Sequence, residues 1–578
     1  MAADKDPKGT SPTGTNQTSH EVAATTTATG QTLDEKAATS PVATSTEKTP
    51  NVSSASLPPS ISSGEGEKPH PTAMTVDLDR IGETEGYLLD EAALRKQYGI
   101  ADDVPLKKTK DGVVLIPQPS DDPDDPLNWP AWKKGCILLV LAVNACTADY
   151  SAATGASALI PQAQGWHISP DEVNHATAGN TFMLGVGGLL TVWLSAYFGR
   201  LPVLFWFGCA SAGTAAWAAA AQTFQSYMAS RILNGLFCVA AAGGGLMWIK
   251  DVFFWHSHAQ KINMWSTAII LSPFLGPQFM AAIISVDSWR TGMWLNFGII
   301  ALGLLLTTTL GDEPFYPRHL MPDRRPKRKS RILRLVGIEQ YRTKYTTNSF
   351  WGAGRRLAYT ITKLPVFLTC LFYFFDFPWT IGNNTTISVF IIPAYNFSYR
   401  NLAAIYTAPV VGAILGLILG HFMFDYIGKC WAKGHNGRFD PENRLILVWL
   451  VLPVKVVGYN LIGATLHHAP AWSWWVLAVG WSMHNVATIV TTTAVSAYLL
   501  DAYPEASGEC AAWLNFSRTL GGFIVGYIQI NWASKAGTQT EYGIQSGIMA
   551  AAFLVIVFLQ FFGPALRQAQ GPLKFKTH

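Results

Sequence analysis

From Gly135 onward the chain is a succession of apolar runs, each about 20 residues long. Wound as helix, a run of that length crosses a hydrocarbon core about 30 Å thick. In lipid, only helices and closed barrels satisfy every backbone N–H and C=O group. The runs are continuous rather than alternating, so they read as helices. Their expected bounds are 135–157, 175–196, 202–221, 227–249, 262–285, 291–311, 364–392, 401–423, 445–466, 472–497, 510–531 and 543–563. The expected fold class is therefore an all-α membrane protein with about twelve transmembrane helices. One long gap, 312–363, divides them into six and six.

Charge is scarce in such a chain. Of the 578 residues, 14% are charged and 49% hydrophobic, whereas an ordinary soluble domain is about 25% charged. This excludes a disordered regulator and argues against a soluble globule or a nucleic-acid binder. The net charge of +4 is too small to imply a polyanionic partner. Residues 1 to about 75 are mostly Ser, Thr, Ala, Pro and Glu. They cannot bury enough surface to offset their ordering entropy, so they read as a disordered tail. Between 76 and 126 a short helix and an extended segment (DGVVLIP) are expected. The expected domains are a tail at 1–126, a six-helix half at 127–311, a basic loop at 312–363, a second half at 364–563 and a tail at 564–578.

Lys and Arg set the orientation. The central loop alone holds thirteen, from Arg318 to Lys363, while the opposite side has Arg290, Arg400 and Lys535. The loop and both termini are thus expected in the cytosol. The stretch RILRLVGIEQYR reads as one basic amphipathic helix along the inner leaflet. Trp129, Trp132, Trp166, Trp289, Trp472, Trp474 and Trp475 fall at span ends, as an aromatic belt does.

Several chemistries lack their residues. There is no GxxxxGK[ST] loop, no HExxH and, among the seven Cys, no CxxC pair. No cofactor or metal is expected, and no catalytic residue. The informative groups are polar residues inside the spans, because an ionisable side chain at mid-bilayer costs about 2.5–3.5 kcal/mol or more. Asp149, Asp376 and His484 are the candidates for proton coupling. Asp376, Thr380, Asn383 and Asn384 recur at one-face helical spacing in the seventh span. His484, Thr488, Thr491 and Thr492 do so in the tenth, and Asn515, Arg518, Gly522 and Gln529 in the eleventh. Three polar faces inside apolar helices imply a water-accessible central cavity, to which Trp481 is added as a lining candidate. The fifth span carries Pro273, Gly276 and Pro277, a combination that bends a helix and lets another approach it closely.

These motifs resemble the major facilitator superfamily. They are most similar to fungal twelve-span drug:proton antiporters of the branch with histidinol and polyamine transporter-like proteins. The resemblance covers roughly 120–570. It rests on DDPLNWPAWKK, MASRILNGLF with Arg231 and Gly235, LSPFLGP, GIEQYR, IGNNTT, NGRFDPENRL and YLLDAYPEASGECAAWLNFSRTLGGFIVGY. It implies two halves rocking about a midplane site. It also implies gating or structural roles for Asp501, Glu505 and Glu509. The chain departs from the pattern at Ala196, where the family's D-x-x-G-R motif has Asp; Gly199 and Arg200 match. Asp425, Gly428 and Lys429 keep the counterpart motif, so the cytosolic charge relay is expected to lean on the second half. Met280 and Ala281 stand where the fifth-span motif has later glycines.

The expected function is secondary active transport of a small organic solute, with protons and the lipid bilayer as the other partners. Proton-coupled export of xenobiotics or secondary metabolites is the first reading. Uptake of a cationic nutrient such as a polyamine and a transporter-like membrane sensor are the alternatives. A monomer in the plasma membrane is expected.

Overall fold

The computed structural model describes residues 87–88, 95, 106–108, 114–317, 328–343, 349–434, 438–571 and 573. The expected disordered tail and most of the 76–126 segment up to residue 113, where a short helix is expected, lie outside them.

Twelve long helices dominate the described residues. The first six are α1 (Ala131–Ser157), α2 (Pro170–Phe198), α3 (Arg200–Ala220), α4 (Phe224–Val252), α5 (Trp255–Ile284) and α6 (Trp289–Leu310). The second six are α7 (Leu364–Tyr395), α8 (Tyr399–Phe424), α9 (Pro441–His467), α10 (Trp474–Ala502), α11 (Ser507–Ala536) and α12 (Thr538–Gln570). Among the described residues, ten are long and apolar enough singly to cross a membrane. The other two, α10 and α11, pass that test only together, with their axes bent by 112°. They have 29 and 30 residues, about 45 Å each at the α-helical rise. Their hydropathy is diluted by the buried Thr, Asn, Arg and Gln they carry.

The starts follow from local chemistry. Ser169 accepts from Glu172 N ahead of Pro170, Thr223 from Ser226 N and Ser473 from Trp475 N. Each hydroxyl satisfies a backbone N–H that the first helical turn leaves open. Small residues then set spacing. A Cβ on Gly243 of α4 would lie 2.6 Å from the Gly188 Cα of α2, so the two backbones touch. Two large apolar clusters form, one mainly in each half, and α5 packs Ile270 and Phe274 into the second half's cluster. One gathers Leu184, Val239 and Leu246; the other gathers Phe372, Tyr459 and Trp481. The halves meet along α2 with α11 and along α5 with α8 and α10.

Four loop features differ from expectation. The single basic helix over RILRLVGIEQYR is two short helices, Arg331–Val336 and Ile338–Thr343. Gly337 between them has φ +95°, a left-handed turn that ends the first. A further helix, Phe350–Thr360, precedes α7, and Leu159–Trp166 lies between α1 and α2. A two-residue antiparallel pair, Tyr87–Leu88 with Arg438–Phe439, ties the segment before α1 to the α8–α9 connection.

Candidate functional site

A small cavity lies between the halves. Asp149, Ala152 and Ala153 line it from α1, Thr181 from α2, Ile270 and Pro273 from α5. Phe377, Thr380, Ile381, Asn384 and Thr385 line it from α7, and Arg518 from α11.

The prolines of α5 shape one wall. A proline lacks the N–H that would bond the carbonyl four residues earlier. Pro273 therefore frees the Ile269 carbonyl, which accepts from Ser272 Oγ at 2.8 Å. Pro277 frees the Pro273 carbonyl, which accepts from Asn384 Nδ2 of the opposite half at 2.7 Å. Gly276 lies between them, and a Cβ there would stand 2.7 Å from the Tyr150 carbonyl.

Charge meets charge in another wall. Arg518 Nη1 and Nη2 donate to the two Asp149 oxygens at 3.0 and 2.8 Å. The bidentate pair is buried and crosses from one half to the other. Asn515 Oδ1 accepts from Arg518 Nε at 3.1 Å and so steers the guanidinium. The Asn515 amide donates to the Leu184 carbonyl of α2 at 3.0 Å.

Asp376 takes a different partner. Lys455 of α9 donates to it at 2.5 Å, and both are buried inside the second half. The seventh-span stripe is thus not one face. α7 breaks at Phe377–Pro378, leaving Asp376 as the last residue of its first segment. Asn383 and Asn384, one residue apart, diverge by about 100° at 3.6 residues per turn. Asn383 accepts from Tyr542 of α12 at 2.7 Å, whereas Asn384 faces the cavity. Thr380 lines the cavity and bonds His484 Nε2 at 2.9 Å.

Of the expected cavity residues, Thr380, Asn384 and Arg518 line it, as do Asp149 and Pro273. Asn383, Trp481, Thr488, Thr491, Thr492, Asn515 and Gln529 are buried but lie outside the lining. Trp481 packs on Phe274 and Tyr406, Thr488 bonds its own helix at the His484 carbonyl, and Thr492 meets Tyr373. Sequence reasoning missed Thr181 and Thr385; Thr385 stands next to Asn384 in IGNNTT. Ile270, Phe377 and Ile381 carry no sequence signal, because an apolar residue in an apolar span looks the same wherever it faces.

Arg231 of α4 is fully buried, with no ion-pair partner among the described residues. Its guanidinium donates to the Ala152 carbonyl at 2.9 Å, directly behind the cavity wall. One turn along, a Cβ on Gly235 would strike the Asn180 carbonyl.

At the end nearer the central loop, charges are paired. Arg200 reaches Asp251 at 2.7 Å, and Glu313 accepts from the Arg200 and Leu201 amides at 3.2 and 3.0 Å. Arg200 thus has an acidic partner in Asp251 of α4 despite Ala196, and Glu313 beyond α6 holds the backbone at the start of α3. Gly199, at φ +98°, makes the sharp turn into Arg200. The side chains of Asp425, Gly428 and Lys429 lie outside the described residues. Asp501 pairs with Arg444 at 2.9 Å. Arg356 of the helix before α7 pairs with Glu509 at 3.3 Å and donates to the Glu505 carbonyl. Lys250 of the first half donates to the Pro504 carbonyl of the second. At the opposite end Asn174 donates to the Gly526 carbonyl and Gln278 to Thr407. Contacts thus join the halves on both sides of the cavity. Among the described residues no group of three or more His, Cys, Asp and Glu could hold a metal ion.

The family model of the Major Facilitator Superfamily matches residues 139–526, well over half of the chain. The chain belongs to the major facilitator superfamily. This superfamily protein is a secondary transporter of a solute, not an enzyme. It is 24% identical over 534 residues to Protein HOL1 of Saccharomyces cerevisiae, covering 77% of this chain and 89% of that protein. It is 23% identical over 498 residues to Fluconazole resistance protein 1 of the same yeast, covering 77% and 82%. Among solved structures, the proton:xylose symporter XylE of E. coli superposes with a TM-score of 0.54 at 16% identity, covering 75% of this chain and 96% of that one. That likeness bears on the fold, which is the superfamily's two six-helix halves.

Proposed function

We propose that this transporter is a proton-coupled exporter of small amphipathic organic compounds, either xenobiotics or secondary metabolites. The observation that carries the reading is the Asp149–Arg518 pair, which joins the halves in the cavity wall. A proton taken up by the Asp149 carboxylate cancels its charge. Arg518 then loses its counter-ion and keeps Asn515 alone, so the link across the halves weakens. Loss of that proton on the other side of the membrane restores the pair. A carboxylate that alternates between a proton and an arginine can link the proton gradient to the rocking of two halves.

The lining supports the substrate class. Thr181, Thr380, Thr385 and Asn384 offer hydrogen bonds, while Ala152, Ala153, Ile270, Phe377 and Ile381 offer apolar contact. A polyamine needs several carboxylates, and the lining holds one, already paired. The similarity to a protein named for fluconazole resistance points the same way. The basic central loop favours cytosolic termini. A plasma-membrane monomer, with the domain limits read from the sequence, completes the proposal.

The test is transport in vesicles under an imposed pH gradient, with a panel of amphipathic drugs and spermidine. Drug movement against the proton flux, abolished by Asp149→Asn in a folded protein, is the expected result. Spermidine accumulation along the proton flux would replace export with uptake. No movement of any compound would favour the sensor reading.

A further inference from the structure

We propose that Glu541 is a second proton-binding site, outside the cavity and buried in the second half. Glu541 lies in the first turn of α12, at the end of the bundle away from the central loop. It has no exposed surface. Its Oε1 accepts from Gln545 Nε2 at 2.9 Å, and its Oε2 has no hydrogen-bond partner. No cation pairs with it among the described residues. The six other carboxylates buried within the spans, Asp149, Asp251, Asp376, Glu442, Asp501 and Glu509, each pair with Arg or Lys. Glu541 is the exception in that set.

An ionised carboxylate buried without a partner is expensive, and such a group is cheaper to bury with a proton bound. The positive end of α12 favours the anion only modestly. That tempers the burial cost without cancelling it, so proton binding stays reversible. The facing groups leave the charge uncompensated. From α9, Tyr459 faces it, and Tyr542 stands beside it on α12. Elsewhere in the second half, Asp376 of α7 and Lys455 of α9 neutralise each other. Glu442 and Arg567 do the same at the far end of α12. His484 of α10 packs against Tyr459 with its ring tilted by 41°, and Gln529 of α11 is uncharged.

The hydrogen bonds link the protonation state of Glu541 to the cavity wall. The Tyr459 hydroxyl has one hydrogen and two acceptors, Gln545 Oε1 at 2.7 Å and the Trp379 carbonyl at 3.2 Å. With Glu541 ionised, Gln545 donates to it and accepts from Tyr459. With a proton on Glu541, the acid O–H becomes a donor and the Gln545 amide turns over to accept it. Gln545 Nε2 then donates to the Tyr459 oxygen, and Tyr459 gives its hydrogen to Trp379. Every donor keeps an acceptor in both states. Trp379 precedes Thr380, which lines the cavity and bonds the His484 ring that lies against Tyr459.

The test needs no substrate, so its failure is separate from failure of the transport reading. Purified full-length protein in lipid nanodiscs is titrated by infrared difference spectroscopy, following the C=O stretch of protonated carboxyl groups. A band that grows as pH falls should be lost in Glu541→Gln and kept in Asp149→Asn. Tyr459→Phe should shift its midpoint and frequency. Glu541→Asp should keep the titration with a shifted midpoint, which guards against a folding defect in the Gln variant. A spectrum unchanged in Glu541→Gln would overturn the proposal. So would loss of the band on adding sodium at constant pH, which would make this a sodium site.

Discussion

Asn384 of the second half donates its amide to the Pro273 carbonyl of the first at 2.7 Å, replacing the helical bond that Pro277 cannot make. A defect within one helix is thereby repaired from across the interface. The proline segment of α5 is completed only when the halves are together at this level.

Asn384→Leu should leave a buried carbonyl without a donor, a loss of about 1–3 kcal/mol. The melting midpoint of the purified protein should fall. Adding Pro277→Ala returns an N–H to the same carbonyl from inside the helix, so the double variant should recover most of the midpoint. A midpoint that stays low in the double variant would show that the Pro273 carbonyl is not what Asn384 serves.

Asp149→Asn and Arg518→Gln separate stability from coupling. Removing one partner of a buried pair strands the other charge, at about 3–5 kcal/mol. Each single variant should therefore unfold earlier than the double variant. All three should lose transport driven by a pH gradient, because none retains the carboxylate–arginine exchange. A double variant no more stable than the singles would argue against a direct pair.

Much of this architecture is legible in the chain because a membrane reads length and polarity bluntly. Spans such as Trp289–Leu310 lie within a few residues of their apolar runs. Charged residues within spans, such as Asp149 and Arg518, stand out for the same reason, and both reach the cavity wall. Partnership is another matter. The spacing of Asp376 and Thr380 gives no hint that α7 breaks at Phe377–Pro378 and turns Asp376 towards Lys455. Glu541 escapes because the hydropathy of the last span rises only after it, so a span begun at 543 excludes a residue that packing buries completely. Arg200 finds Asp251 and Glu313 from distant elements, which no local motif encodes.

Gly276 tests the close approach of α1 and α5. A Cβ at this position would lie 2.7 Å from the Tyr150 carbonyl and 3.1 Å from the Thr154 N. Both are backbone atoms of helical segments and yield little. Gly276→Leu should force the helices apart, with an overpacking loss of about 1–3 kcal/mol or more, and should slow turnover sharply. Gly213→Ala, where a Cβ meets nothing within 4 Å, is the matched control and should transport normally. Equal turnover in the two variants would remove the fifth-span motif from the cycle.

Asp312, just beyond α6, gives a prediction with a pH sign. Burial favours its neutral form, but the Lys133 hydrogen bond at 2.8 Å and the charges of Arg334, Lys133 and Arg328 outweigh it. The carboxyl is held below its usual range. A native-state value below the unfolded one adds stability that is complete above the unfolded value, about 3.9. That stability is lost as pH falls through the native one. Asp312→Asn should therefore lower the melting midpoint by a constant amount from neutral pH down to about pH 4–5, just above that unfolded value. The gap between the variant and the wild type should then shrink on further acidification. The measurement is thermal unfolding in detergent across that range. A gap that instead widened below pH 4 would mean that the cluster destabilises the charged form, reversing the assignment of Lys133, Arg328 and Arg334 as its partners.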